Sequence, residues 1–234
     1  MRNFENWETQ DLEITFGLKK VKNMPLLNNW LDSNATFDDS ARQRIEELKN
    51  SIADFADYWN EDELKMQAIS LMLDIANFRH HQYTIFSQRT LSATVDGIEI
   101  GGRVDFMLAS GYQKPIKPYF FIHEYKQERK RENDPKGQLL SELLAAQQKN
   151  ENKFPLYGCY VIGRNWFFMV LNGKEYGVSD GFMASQDSIY KIISMLRQVK
   201  VYIEKFQDPR PTSSTPWARL STPGRRKHAR QTPA

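Results

Sequence analysis

GGRVDFMLASGYQKPIKPYFFIHEYK, Gly101 to Lys126, is the stretch on which the reading of this chain turns. It holds two apolar runs joined by a connection bearing Gly and Pro, the pattern of two strands and a turn. The first contains Arg103-Val104-Asp105-Phe106-Met107, and the second is Tyr119-Phe120-Phe121-Ile122-His123-Glu124-Tyr125-Lys126. Side chains two apart on a strand share a face, so Glu124 and Lys126 point one way, His123 and Tyr125 the other. A hairpin centred between Lys114 and Pro115 sets Asp105 opposite Glu124. Two carboxylates and one ammonium then share a patch of sheet. Adjacent carboxylates repel, so positive charge must reside there if both are to stay ionised. Lys126 supplies one charge, and a divalent cation would supply the rest. Oxygen-only ligands suit Mg²⁺ or Mn²⁺.

Most Glu-x-Lys pairs on strands are surface pairs of little consequence. This one follows four apolar residues, Tyr119 to Ile122. A strand that apolar belongs inside a sheet, and charges at its end sit at the sheet rim, where sites are built.

Asp105, then Glu124-x-Lys126, then a helix carrying Gln138, resembles the PD-(D/E)XK nuclease superfamily. Val104 stands where the signature has proline, a departure frequent in that superfamily. The resemblance covers roughly Asn60 to Lys205 and rests on order and context more than on a short, degenerate motif. Within the superfamily the chain is similar to bacterial restriction-endonuclease-like members with a WNEDEL-type helix, a DF strand, an HEYK strand and a YGCYVIGRNWFF hairpin. The resemblance implies an α/β fold with a mixed central β-sheet flanked by helices, in the order helix–strand–strand–strand–helix–strand. It implies Mg²⁺-dependent (or Mn²⁺-dependent) hydrolysis of phosphodiester bonds in nucleic acid, with DNA the expected polymer. Asp105 and Glu124 would bind the metal, the backbone carbonyl of Tyr125 would be a further ligand, and Lys126 and Gln138 would complete the catalytic set. A Glu on the first helix often joins such sites; Glu63 is the first choice and Glu61 the next. The alternative is a catalytically inactive nuclease-fold module that binds nucleic acid or protein. A third reading makes the acids a rim ion cluster on a structural module.

The rest of the chain sets the frame. At 234 residues one sizeable core is expected, with N-terminal helices packed on it. Residues 1–59 read as an N-terminal helical segment, 60–207 as the nuclease-like domain and 208–234 as a disordered basic tail. That tail carries six Arg and Lys against Asp208, a net +5 within a total of +3. The remainder is therefore slightly acidic, and basicity is no property of the fold. The tail can hold nucleic acid by counterion release, or be an incidental extension. The single cysteine, Cys159, sits in an apolar run and reads as a buried thiol. No stretch approaches the ~18 apolar residues of a membrane span and none reads as a signal peptide, so the cytoplasm is the expected compartment.

Helical spacing marks Thr36 to Trp59 and Asp62 to Phe78, the second capped by Asn60. Asp96-Gly97 and Asn172-Gly173 are hairpin signals. Gly101-Gly102 inside a strand predicts a bulge or a close approach by another backbone or a ligand. Arg103 shares a face with Asp105; it either contacts a phosphate or pairs with a nearby acid. Asp134-Pro135 opens a helix running to about Asn150. Asp187 to Phe206 forms the last helix, and no DNA-reading motif or zinc spacing occurs.

Overall fold

The structure is a computed structural model and describes residues 1–78, 80–126 and 134–207. The charged stretch Gln127 to Glu132 and the basic tail from Asp208 lie outside the described residues.

In chain order the elements begin with strand β1 (Arg2–Asn3), helix α1 (Thr9–Phe16), strand β2 (Lys19–Lys20) and helices α2 (Pro25–Leu31) and α3 (Asp39–Phe55). Helix α4 (Glu61–Leu64) runs through a π-helical turn, Lys65–Ile69, into α5 (Ser70–Ala76). Strands β3 (Thr84–Val95), β4 (Ile98–Ser110) and β5 (Ile116–Lys126) follow, then α6 (Pro135–Lys149). Strands β6 (Leu156–Ile162), β7 (Asn165–Asn172), β8 (Glu175–Val178) and β9 (Phe182–Met183) precede the final helix α7 (Ser188–Gln207).

The strands make one mixed sheet. β3, β4 and β5 form an antiparallel meander, and the first turn is Asp96-Gly97 with positive φ at both residues, as the hairpin signal requires. The crossover through α6 returns the chain so that β6 lies parallel to β5, from Phe121↔Tyr157 to Lys126↔Ile162. β7 and β8 continue antiparallel, and β2 adds to β8 in parallel. β1 runs parallel to β4 at Asn3↔Gly101. The pair Gly101-Gly102 thus serves a close approach by neighbouring strands: a Cβ on Gly101 would stand 2.7 Å from that of Ser92 and 3.1 Å from the Leu91 carbonyl oxygen.

Each face of the sheet has its own core. One is covered by α2, α3, α4–α5 and α7 and contains Trp30, Phe121, Cys159 and Phe168. The other is covered by α1 and α6 and contains Leu12, Ile122, Leu139 and Leu143. The N-terminal segment is built into both cores. Trp30 of α2 is fully buried, meets Phe121, Tyr157 and Phe168 edge-on, and donates from Nε1 to the Met195 carbonyl at 2.8 Å. Residues 1–59 also supply β1 and β2, which the sequence pattern had not marked. Asp134 caps α6 and accepts from both the backbone N–H and the hydroxyl of Thr9, fixing the start of α1 to that of α6.

Two expectations change in detail. The Asp62–Phe78 helix, capped by Asn60 as expected, starts at Glu61, is interrupted by the π turn and ends at Ala76. In the β4–β5 hairpin, Phe106↔His123, Met107↔Ile122 and Leu108↔Phe121 keep the centred register. Nearer the turn it shifts to Ala109↔Tyr119 and Ser110↔Ile116, so the loop is irregular while the far end is aligned.

Candidate functional site

The aligned end of the hairpin is where the chemistry gathers. Phe106↔His123 is the last paired position there, and one further step sets Asp105 across from Glu124. The backbone N–H of Tyr125 donates to Asp105 Oδ2 at 3.1 Å, so the side chain of Asp105 takes over where the β4–β5 ladder stops. Glu124 is buried and its Oε1 pairs with Lys126 Nζ at 2.8 Å. Glu124 Oε2 is buried with no partner. Burial, with the charge of Asp105 added to it, pushes the Glu124 carboxyl up to about 8 in spite of Lys126. Burial works to lower Lys126, but Glu124 outweighs it and holds the ammonium above its ordinary value.

Across the sheet, β3 brings Gln88. The β3–β4 ladder runs from Thr84↔Ala109 to Val95↔Ile98 and skips Gln88, the residue that faces Asp105. Gln88 has φ of 54°, the left-handed region that a side chain of this kind rarely enters. The twist delivers its Nε2 to Asp105 Oδ1 at 2.6 Å. Such a conformation costs of order 1–3 kcal/mol and persists where surroundings enforce it.

The helix that packs against this rim sends Lys65. It is the first residue of the π turn, and its Nζ reaches Asp105 Oδ1 at 2.8 Å and Glu61 Oε1 at 2.6 Å. Burial lowers the Lys65 pKa, but Asp105 and then Glu61 outweigh it, so the ammonium is held above its usual range. Wide π turns occur mostly as single insertions and frequently at functional positions. A cleft of about 320 Å³ opens beside these groups, lined by Lys65, Met66, Ile69, Gln88, Asp105 and Phe106.

Below the rim, α6 contributes a buried polar pair. Gln138 Nε2 donates to Glu142 Oε1 at 3.3 Å, while Gln138 Oε1 and Glu142 Oε2 have no partner. Burial, then the charges of Glu124 and Asp105, raise the Glu142 carboxyl well above the ordinary range.

The sequence-based candidates fare differently. Asp105, Glu124 and Lys126 come together. Gln138 is buried on α6 and its hydrogen bond goes to Glu142. Glu63, the first choice for the helix acid, is committed elsewhere: its carboxylate accepts from Asn60 N–H while Asn60 Oδ1 accepts from Glu63 N–H. That capping box occupies Glu63, and Glu61 is the acid that faces the cluster. Tyr125 meets Asp105 through its N–H. Arg103 is exposed and, among the described residues, pairs with no acid.

Lys65, Gln88 and Glu142 were missed. The Glu61–Lys65 spacing of four was a legible pair, and Glu142 is the lone acid in an apolar helical run. Nothing local announces that Gln88 adopts positive φ.

On the opposite face, His123 Nδ1 lies 2.7 Å from the Tyr125 hydroxyl and 3.4 Å from Cys159 Sγ. Burial holds His123 far below its usual pKa, so it is neutral, and raises the Cys159 thiol. This trio packs the Tyr125 ring whose backbone orients Asp105.

Among the described residues no three His, Cys, Asp or Glu side chains are arranged to hold a metal. The donor set at the rim is the pair Asp105 and Glu124. All its atoms are oxygens, and one of them, Glu124 Oε2, is buried and unpartnered. This fits Mg²⁺ or Mn²⁺, which bind through one or two carboxylates and keep several waters. Among the described residues no helix is long and apolar enough to cross a membrane. Comparison of the sequence with family models and with curated proteins returns no match.

Proposed function

We propose that this chain is a restriction-endonuclease-like, metal-dependent nuclease that hydrolyses phosphodiester bonds in nucleic acid, with DNA as its substrate. One observation carries the reading: Asp105 and Glu124 face each other on neighbouring strands, Lys126 is paired to Glu124, and the other Glu124 oxygen is buried without a partner. A purely structural rim has no use for repelling carboxylates held this way. The order of helix, three-stranded meander, crossover helix and parallel strand supports it too, since the PD-(D/E)XK resemblance implies that order.

Asp105 and Glu124 would hold Mg²⁺ or Mn²⁺, which when bound lowers the pKa of a coordinated water and polarises the scissile phosphate. Lys126 offsets negative charge that builds on the phosphate and orients the attacking water; its compact ammonium reaches both. Tyr125 N–H and Gln88 keep the Asp105 carboxylate aimed at the rim. Gln138 and Glu142 line the buried side behind Glu124 and keep bulk water from it.

The test is calorimetric titration of Mg²⁺ and Mn²⁺ alongside a nicking assay on duplex DNA, single-stranded DNA and RNA, for wild type, Glu124→Ala and Lys126→Ala. Metal-dependent nicking by wild type, with loss of both metal affinity and rate in Glu124→Ala, supports the reading. Absence of both binding and cleavage on every polymer overturns it in favour of a non-catalytic module that binds nucleic acid or protein. Cleavage of RNA alone would move the substrate from DNA to RNA.

A further inference from the structure

We propose that Lys65 is the site's own counter-ion: its ammonium occupies the place on Asp105 that a divalent cation takes, and it leaves Asp105 when the metal binds. The inference rests on the metal-binding reading above and concerns a residue outside the Asp-Glu-x-Lys set.

Geometry is the first argument. Asp105 Oδ1 accepts from both Lys65 Nζ at 2.8 Å and Gln88 Nε2 at 2.6 Å, which fills that oxygen, while Oδ2 accepts from the Tyr125 N–H. Two of these donors are neutral and set the orientation of the carboxylate. Lys65 alone brings charge. An ammonium held against the same carboxylate repels an incoming divalent cation strongly in a half-buried place.

Charge balance is the second. In the metal-bound form, where Glu124 must be ionised to act as a ligand, Glu61, Asp105 and Glu124 are three carboxylates facing two ammonium groups, Lys65 and Lys126, which are paired with them in the metal-free site. Substituting a divalent cation for Lys65 at the rim leaves the acids better neutralised than Lys65 does. The partnerless, buried Glu124 Oε2 is a waiting oxygen that Lys126 does not use and to which no hydrogen bond of Lys65 runs.

The third is that Lys65 has somewhere to go. Its second partner, Glu61 Oε1 at 2.6 Å, lies one turn earlier on the same helix and stays with it after release from Asp105. The side chain also borders the open 320 Å³ cleft, so its displaced end meets solvent or a substrate phosphate. Lys65 opens the π turn, where helical hydrogen bonding is least regular.

Mn²⁺ titration by calorimetry at one pH and ionic strength, on full-length wild type, Lys65→Met and Lys65→Arg, tests this, with thermal unfolding in a chelator to verify folding. Removing a unit charge at this range is expected to tighten Mn²⁺ binding about tenfold in Lys65→Met, with Lys65→Arg close to wild type. If wild type binds Mn²⁺ and Lys65→Met binds it no tighter, the inference is overturned while the metal reading stands. If neither binds Mn²⁺, the metal reading itself fails and takes the inference with it. A second measurement needs no variant: in wild type labelled with ¹⁵N-lysine, saturating Mg²⁺ should shift the Lys65 ammonium resonance toward that of a free lysine. A Lys65 resonance unmoved at saturation overturns the proposal, and its release supports it.

Discussion

Gln88 and Asp105 face each other across β3 and β4 at the position where the ladder between those strands skips a pair, and the glutamine amide has left the strand conformation to reach the Asp105 carboxylate at 2.6 Å. The backbone strain and the hydrogen bond have a common purpose. Asp105 is met by a donor from each side, Gln88 from β3 and the Tyr125 N–H from β5, so its orientation is fixed before any cation arrives.

This relationship predicts an ordering of variants. Gln88→Gly should be more stable than Gln88→Ala by about 1 kcal/mol, because glycine adopts φ of 54° without a Cβ clash. Both lose the bond to Asp105, so both should weaken Mn²⁺ binding alike. Thermal unfolding and calorimetry on the two variants check this. Equal stabilities would remove the claim of strain.

Stability should depend on pH through Glu124. Its folded pKa, about 8, lies above the ordinary carboxylate value of 4.5, so the folded state binds the proton more tightly. That contribution is fully present below about pH 4.5 and is lost as pH rises toward 8. The metal-free melting temperature should therefore fall between pH 5 and 8, and Glu124→Gln should flatten the fall. A wild type and Glu124→Gln pair with parallel pH profiles would contradict it.

Glu142 is raised the same way, with burial the first cause and the charges of Glu124 and Asp105 next. Folding therefore favours its neutral form. Glu142→Gln, which mimics that form, should leave the melting temperature at pH 5 within a few degrees of wild type and exceed it at pH 8. Glu142→Lys should destabilise the fold, since a longer, charged side chain is forced into a fully buried place on α6. Circular dichroism melts of both variants decide the point.

Lys126→Ala should keep Mn²⁺ binding while cleavage drops roughly 100-fold or more, and Lys126→Arg should recover little, because a planar guanidinium does not occupy a compact ammonium's place. Full activity in Lys126→Ala would refute the assigned role even if the chain is a nuclease.

The N-terminal segment carries weight in the fold. Trp30→Ala removes a fully buried indole and its bond to the Met195 carbonyl, and it should cost about 3–5 kcal/mol. A loss below 1 kcal/mol, measured by chemical denaturation, would show that residues 1–59 are an optional cover.

What the sequence alone determined is the alternating pattern of Gly101 to Lys126. Side-chain period and hairpin centring place Asp105 opposite Glu124 and put Lys126 on the same face, because the arithmetic of a strand has no free parameter once the register is known. The helix start at Asp134-Pro135 and the hairpin turn at Asp96-Gly97 likewise follow from local chemistry. Only the tertiary structure decided the rest. Whether Glu61 or Glu63 faces the rim depends on which carboxylate the Asn60 cap takes up. Lys65 comes to Asp105 because α4 packs over the sheet end, a contact 40 residues long in sequence that no local window contains. Gln88 reaches Asp105 only because β3 and β4 lie side by side, and Glu142 is buried only because α6 is covered on both sides. Burial and pairing across elements set the charge states, and they emerge when the strands and helices are brought together.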